Sequence, residues 1–295
     1  MRYFALRVVL VLLFAAAFAP RAALAQGARG PAPFDGMVEV GGGRRLHLKC
    51  TGPAAGPTVV LESGAGNDST VWERVRPGVE RFARVCAYDR AGLGRSDPVP
   101  AARSIVAVTE DLHALLAKAG VPGPFVLVGH SLGGILARLY ASYYPSEVAG
   151  MVLVDSAHED EADRGLSLIP RETFKETLKK LGPQDLVPTL GEPIDACSIR
   201  PMMDALDWRG SIPLVVLTQG RPYGPDMVAV PSMAPKAYRL HLEMQRDLVR
   251  RSPRGRQVIA KKSGHYVHQD EPGLVVEAVR QVFDEARGAR ARRGR

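Results

Sequence analysis

An α/β fold with a mostly parallel eight-stranded sheet, helices on both faces and a helical cap inserted after the sixth strand is the class this sequence predicts. Three observations predict it. Short apolar runs of strand length alternate with longer stretches whose apolar residues recur at helical spacing, which is the pattern of a parallel sheet covered on both sides. One run, Val126-Leu127-Val128, ends in Gly129-His130-Ser131-Leu132-Gly133 and passes at once into a helix-capable segment, Ile135 to Tyr144. The alternation then stops between Ser156 and Gly210, where a charged helical stretch (Arg171 to Lys180) precedes a Pro-broken segment with scattered Leu, Met and Trp.

Residues 1–25 read as a secretory signal peptide. Arg2 and Arg7 form a basic start, Val8 to Ala19 is an apolar run, and Ala23-Leu24-Ala25 supplies a small-residue cleavage site before Gln26. The run is shorter than the roughly 18–20 residues a membrane span needs. The mature chain, 26–295, is expected to be exported, periplasmic or extracellular, with no stable membrane insertion after cleavage.

Gln26 to Phe34 reads as a flexible lead-in. Met37–Val40 and Arg45–Cys50 are strand-like and joined by three glycines, which predicts a hairpin. Thr58–Glu62 is a buried strand ended by Ser63-Gly64-Ala65-Gly66, Val71–Ala83 reads as a helix, and Arg84–Asp89 as the fourth strand. Ser104–Ala119 carries Val108, Leu112 and Leu115 at helical spacing and stops at Gly120 and Pro122. Met151–Asp155 is the sixth strand, and the cap occupies about 156–210. Ile212–Thr218, the helix Ala234–Arg250 with its Leu240, Met244, Leu248 stripe, the strand Gln257–Ala260 and the helix Gly273–Ala286 complete the domain. Residues 287–295 read as a basic flexible tail.

The net charge of +8 belongs to the ends of the chain. Arg2, Arg7 and Arg21 lie in the leader and five arginines lie in the last ten residues, which leaves the body from Gln26 to Glu285 balanced. Nothing in that balance suggests a nucleic-acid groove. The cysteines, Cys50, Cys86 and Cys197, have no metal-ligand spacing. Export permits one disulfide, but Cys50 and Cys86 in strand segments read as small buried thiols, and the sequence selects no pairing.

The junction at Gly129–Gly133 matches G-x-S-x-G in its strand–turn–helix setting. The serine of such a turn is held in a strained conformation, and a Cβ at Gly129 or Gly133 would collide with the neighbouring strand or helix. The turn presents Ser131 Oγ above the sheet and turns the Leu132 N–H toward a developing oxyanion.

With Leu61-Glu62-Ser63-Gly64-Ala65-Gly66, Tyr88-Asp89-Arg90-Ala91-Gly92-Leu93-Gly94-Arg95-Ser96-Asp97, Gly129–Gly133 and Ser263-Gly264-His265-Tyr266 in this order, the chain resembles the α/β-hydrolase fold family from about Val38 to Ala286. The resemblance implies a triad in the order Ser, acid, His. Ser131 is its nucleophile. His265, in the loop after the last strand, is its base, preferred over His268 because Ser263-Gly264 can carry the sharp loop. Two aspartates compete for the acid. Asp155 ends the sixth strand, where position is rigid, and is preferred; Asp226, after the seventh strand and set back by Gln219–Pro225, is the alternative. Carrying the family's oxyanion loop onto Ser63–Gly66 gives Ala65 N–H as the partner of Leu132 N–H, although Ser63 stands where the family often has histidine. Asp89 and Arg90 are implied to brace loops.

The remaining candidates read as structural. His130 is a packed elbow residue pointing away from Oγ, and His47, His113, His158 and His241 are ordinary surface or core histidines. Glu159-Asp160-Glu161 is a solvated edge of the cap. Met202, Met203, Leu206 and Trp208 line either an acyl pocket or a small cap core. The function expected is a secreted serine hydrolase that cleaves a small-molecule ester, or an amide or thioester, through an acyl-enzyme and with no metal or cofactor. The alternatives are a non-catalytic ligand-binding protein of the same fold, or a carbon–carbon hydrolase or haloperoxidase-like enzyme on the same triad.

Overall fold

The computed structural model describes residues 32–173, 192–206, 208–224 and 231–293; residues 1–25, which read as a signal peptide, and Asp226 lie outside the described residues. Eight strands form one sheet: β1 (Phe34–Gly41), β2 (Arg44–Thr51), β3 (Thr58–Glu62), β4 (Val85–Tyr88), β5 (Phe125–His130), β6 (Val148–Val154), β7 (Leu214–Gln219) and β8 (Gly255–Ala260). Their order is β1-β2-β4-β3-β5-β6-β7-β8. β1 and β2 form the expected hairpin and β2 pairs β4 antiparallel, while every other pairing is parallel. The helices are α1 (Arg76–Val79), α2 (Ile105–Lys118), α3 (Leu132–Tyr143), α4 (Glu161–Leu166), α5 (Ile199–Leu206), α6 (Ala234–Arg250), α7 (Val267–Asp270) and α8 (Pro272–Arg293).

Alternation along each strand divides the core between the two faces of the sheet. Leu127, Leu153 and Val216 point to one face, where they meet Leu112, Leu115 and Leu116 of α2, Tyr140 of α3 and Leu248 of α6. Val126, Val128, Val152, Val154, Val215 and Leu217 point to the other and meet Val79 of α1 and Val275, Val279, Val282 and Phe283 of α8. Both faces of the parallel strands are covered, which is why these strands read as continuous apolar runs.

The chain runs from β3 outward to β4 and then crosses back over β3 to β5. A strand order that reverses in this way leaves a crevice beyond the carboxyl ends of the strands. The loops after β3, β5, β6, β7 and β8 all open there.

The structure differs from the sequence expectation in several places. The strand β1 begins at Phe34, inside what reads as lead-in. The helix expected over Val71–Ala83 is a 3-10 turn, Ser69–Trp72, capped by the Asp68 side chain, followed by the single turn α1. Pro77 and Gly78 explain this, since one lacks the N–H and the other favours the unfolded backbone. The closing helix continues to Arg293, so the arginine-rich end expected to be flexible is helical to that point. The insertion between β6 and β7 contains α4 and α5; most of Arg171–Lys180 falls outside the described residues.

Cys50 and Cys86, whose pairing the sequence leaves open, are joined in a disulfide, and Cys197 is free and exposed. The pair faces directly across the β2–β4 register, which the sequence alone does not reveal. The bond closes a loop with a sequence separation of 36. By loop-closure entropy, replacing both cysteines by alanine should cost about 3–4 kcal/mol, read as a lowered denaturation midpoint, and the unreduced, denatured protein should titrate one thiol, from Cys197.

Candidate active site

Ser131 joins β5 to α3 with φ 52° and ψ −120°, a conformation that residues bearing a Cβ rarely adopt. Backbone hydrogen bonds hold it there. Its N–H donates to Val154 O at 3.2 Å, and its carbonyl accepts from Gly134 and Ala157, each at 3.0 Å. The serine hydroxyl makes no bond to the helix it precedes. A Cβ on Gly129 would lie 2.3 Å from Gly133 O, and one on Gly133 would lie 2.3 Å from Glu62 O in β3. Glycine is required at both positions because the strand, the turn and the helix approach backbone to backbone.

The structure brings His265 and Asp155 together: His265 Nδ1 lies 2.7 Å from Asp155 Oδ2. Asp155 follows β6 directly, in the left-handed region at φ 43°, and its N–H donates to Leu217 O at 2.7 Å. Its carboxylate is fully buried. Oδ1 accepts from the Gln219 N–H at 2.8 Å and from His241 Nε2, on α6, at 2.9 Å. Burial pushes this carboxyl up, but the bonds from His241 and His265 outweigh it and bring its pKa down to about 2. It is therefore ionised at neutral pH.

His130, read from the sequence as a packed elbow residue, is buried, and its Nε2–H donates to the His265 carbonyl at 3.0 Å. The elbow thus tethers the loop that carries His265. His268 is buried against Trp72 and His130, with ring centroids 4.7 and 4.3 Å apart. Burial, aided by His265, lowers His268 to about 4 and leaves it neutral. It makes no hydrogen bond among the described residues, so His265 and not His268 has the carboxylate.

Leu132 and Ala65 both sit beside the elbow, and neither backbone N–H has an acceptor among the described residues. A methyl group placed on Gly64 would be 3.3 Å from Ser131 Cβ, so the Ser63–Gly66 loop lies directly against the serine. That loop is clamped by the buried Arg90, which follows β4. Its guanidinium donates to Ser63 O at 2.7 Å and to Gly64 O at 2.6 Å. It also binds Glu62 Oε1 at 2.6 Å and both carboxylate oxygens of Glu192, at 2.6 and 2.8 Å. Burial works against the arginine's charge, and the two carboxylates more than offset it. Glu192 Oε1 also accepts the Gly66 N–H at 3.0 Å, and Trp72 Nε1 donates to Ser63 Oγ at 3.1 Å. The brace that a histidine often gives this loop is supplied here by Arg90, Glu192 and Trp72.

A cavity of about 560 Å³ opens beside His265 between α4 and α6. Leu166, Leu168, Ile169, Leu240 and Met244 make its wall apolar, and His241, Tyr223 and Glu161 bring polar groups to it. Met202 and Met203, for which a pocket and a cap core are both open readings, pack against α2 and α3 with Ile194. Trp208 lies in the sheet core, and the Leu206 side chain is outside the described residues.

Of the charged run after β6, Glu159 departs from the expectation of a solvated edge, while Asp160 is half-buried and Glu161 exposed. Glu159 is buried, 2.7 Å from Arg138 of α3, and paired with Arg251 as well. Two arginines distant in sequence provide the counter-charge that keeps it in the interior. The Asp155 partner His241, which reads as an ordinary histidine, is the site residue that sequence reasoning misses. Its spacing from Met244, Gln245 and Leu248, all buried, does place it on the inner face of α6. Among the described residues no group of three or more His, Cys, Asp or Glu is arranged to hold a metal ion.

The model of the alpha/beta hydrolase fold matches residues 57–266. The chain belongs to that family and is a hydrolase. It is 27% identical over 244 residues to the uncharacterized protein YqjL of Bacillus subtilis, covering 82% of this chain and 89% of that one. A thermophilic esterase from Thermogutta terrifontis superimposes with a TM-score of 0.61 at 22% identity, covering 87% of this chain and all of that one. A hydrolase from Pseudomonas aeruginosa superimposes with a TM-score of 0.61 at 19% identity, covering 84% and 97%. At these identities the two structures share the fold. No described helix is long and apolar enough to cross a membrane.

Arg90 compensates two buried carboxylates and holds two carbonyls of the loop. Arg90→Met should lose about 3–5 kcal/mol of stability, because it strands Glu62 and Glu192 without a counter-ion. Chemical denaturation at pH 7 checks this; a midpoint equal to wild type would contradict the role given to the clamp.

Proposed function

We propose that the protein is an exported serine esterase acting through an acyl-enzyme on Ser131. The observation that carries the reading is the 2.7 Å bond from His265 Nδ1 to the buried Asp155, in a chain whose Ser131 stands in a strained elbow. Serine is a poor nucleophile at its free pKa and requires a neighbouring base. His265 Nε2 accepts the Ser131 proton as Oγ attacks the ester carbonyl carbon. The carbonyl π electrons move to oxygen, and the Leu132 and Ala65 N–H groups hold that oxyanion. Such donors are worth about a hundred- to a thousand-fold in rate each. Asp155 keeps the proton of His265 on Nδ1 and stabilises the imidazolium. The tetrahedral intermediate expels the alkoxide, which takes the proton from His265 and leaves as the alcohol. Water, deprotonated by His265, then attacks the acyl carbon, and Ser131 regains its proton as the acid departs.

The apolar cavity beside His265 favours an ester whose acyl group is hydrophobic and of medium length, since pockets of about 300–1,000 Å³ bury molecules of that size. p-Nitrophenyl esters of increasing chain length test both proposals. Ser131→Ala and Asp155→Asn should lower kcat by about four orders of magnitude or more, and unchanged turnover in either would sink the triad. Leu240→Trp, which fills the cavity, should cut kcat/KM for octanoate about tenfold or more while sparing acetate.

Export rests on the signal-like leader and on the Cys50–Cys86 disulfide, a bond favoured in oxidising compartments. The protein recovered from the periplasm or medium of its expressing host should begin at Gln26 by terminal sequencing. Recovery only from the cytoplasm with the leader intact would reject this.

A further inference from the structure

Asp155 is bound by two histidines, and the proposed reaction uses only one of them. His241 Nε2 lies 2.9 Å from Oδ1 and His265 Nδ1 lies 2.7 Å from Oδ2, so a single carboxylate bridges two imidazoles from different parts of the chain. His241 is buried on α6 and forms part of the same cavity wall as His265. With Nε2–H donated to Asp155, the neutral ring keeps Nδ1 as its basic atom, and a proton gained there makes His241 a cation in direct contact with the carboxylate.

Among the described residues, the titratable groups that face His241 are few. They are Asp155 from the end of β6, Glu161 from α4, Tyr223 from the loop after β7, whose ring centroid is 5.5 Å away, and His265 across the carboxylate. Tyr238, on α6 itself, is engaged with Gln219 O and Gly220 O. No arginine or lysine contributes to this wall among the described residues, so the charge of His241 is the cationic variable on this side of Asp155.

We propose that His241 is a positioning residue that sets how much of the Asp155 charge reaches His265. Neutral His241 orients the carboxylate and leaves its negative charge to stabilise the His265 imidazolium. Protonated His241 compensates that charge and makes His265 a weaker base. Burial pulls His241 down, but the bond to Asp155 and the nearby Glu161 leave its pKa raised, so the cationic form persists to higher pH than in a free histidine. The direction follows: as pH falls, His241 takes a proton and depresses the basicity of His265. The proposal rests on the triad reading for its catalytic consequence, but the coupling between the two rings is measurable without turnover.

The test compares wild type, His241→Gln and His241→Phe. His241→Gln keeps an N–H donor and removes the titration. The acid limb of its kcat/KM profile should move up by about one pH unit, as expected when a nearby cation is removed. The His265 imidazole, followed by NMR without substrate, should show the same upward shift. His241→Phe removes the donor as well and should lower the plateau about tenfold, in line with a lost orienting bond to a charged group. An acid limb and a His265 titration in His241→Gln that match wild type would mean that His241 merely packs, and would overturn the proposal. If His241→Gln does not fold, the wild-type protein decides. Coupling predicts a two-step titration of His265 that mirrors the steps of His241, and independent single-step curves refute it. Failure of the triad reading is seen separately, as turnover that survives Ser131→Ala.

Discussion

A buried carboxylate is tolerated only where its charge is met on every side, and the arrangement around Asp155 follows from that constraint. One oxygen takes the Gln219 N–H and His241, the other takes His265, and the backbone N–H is anchored to β7. Four separate segments are therefore held to one point: the end of β6, the end of β7, the middle of α6 and the loop after β8. The sheet brings the first two together by parallel register. The last two are drawn in by the charge. The same bonds that make the site compact also keep the carboxyl ionised across the range in which a histidine base works.

The loop after β3 depends on the opposite arrangement, a buried cation surrounded by acceptors. Arg90 binds two carboxylates and two backbone carbonyls, and those carbonyls belong to the loop that presents Ala65. The Gly66 N–H of the same loop is bound to Glu192, so the loop is held through a donor as well as through its carbonyls. Preorganised donors lose little by reorganisation during a reaction, which is the physical value of fixing a loop in this way. A member of the alpha/beta hydrolase family can thus change the side chain that braces the loop and keep the geometry of its backbone.

Most of the fold was legible because its strands are covered on both faces and so read as apolar runs, and because the elbow is a local motif complete within five residues. The helix over Val71–Ala83 is over-read because apolar periodicity hides the effect of Pro77-Gly78. What stayed illegible depends on partners far away in sequence. The choice between Asp155 and Asp226 turns on which carboxylate the fold carries to His265, and only Asp155 lies among the described residues. Glu159 looks like a solvated charge until Arg138 and Arg251 are placed beside it. Cys50 and Cys86 look like isolated thiols until the register sets them opposite each other. His241 sits on a readable buried stripe, but nothing local says that the stripe ends on a carboxylate.

The strained backbone at Ser131 has a consequence for how such a protein changes over generations. A serine at φ 52° costs free energy that a glycine in the same place would not, and its hydroxyl gives no helix-capping bond in return. Folding alone therefore favours losing this serine. Lineages released from selection for turnover can drift toward sturdier, inert versions of this fold, and laboratory evolution that rewards only heat resistance is pulled the same way. The serine at the elbow stands against the preference of the backbone that carries it.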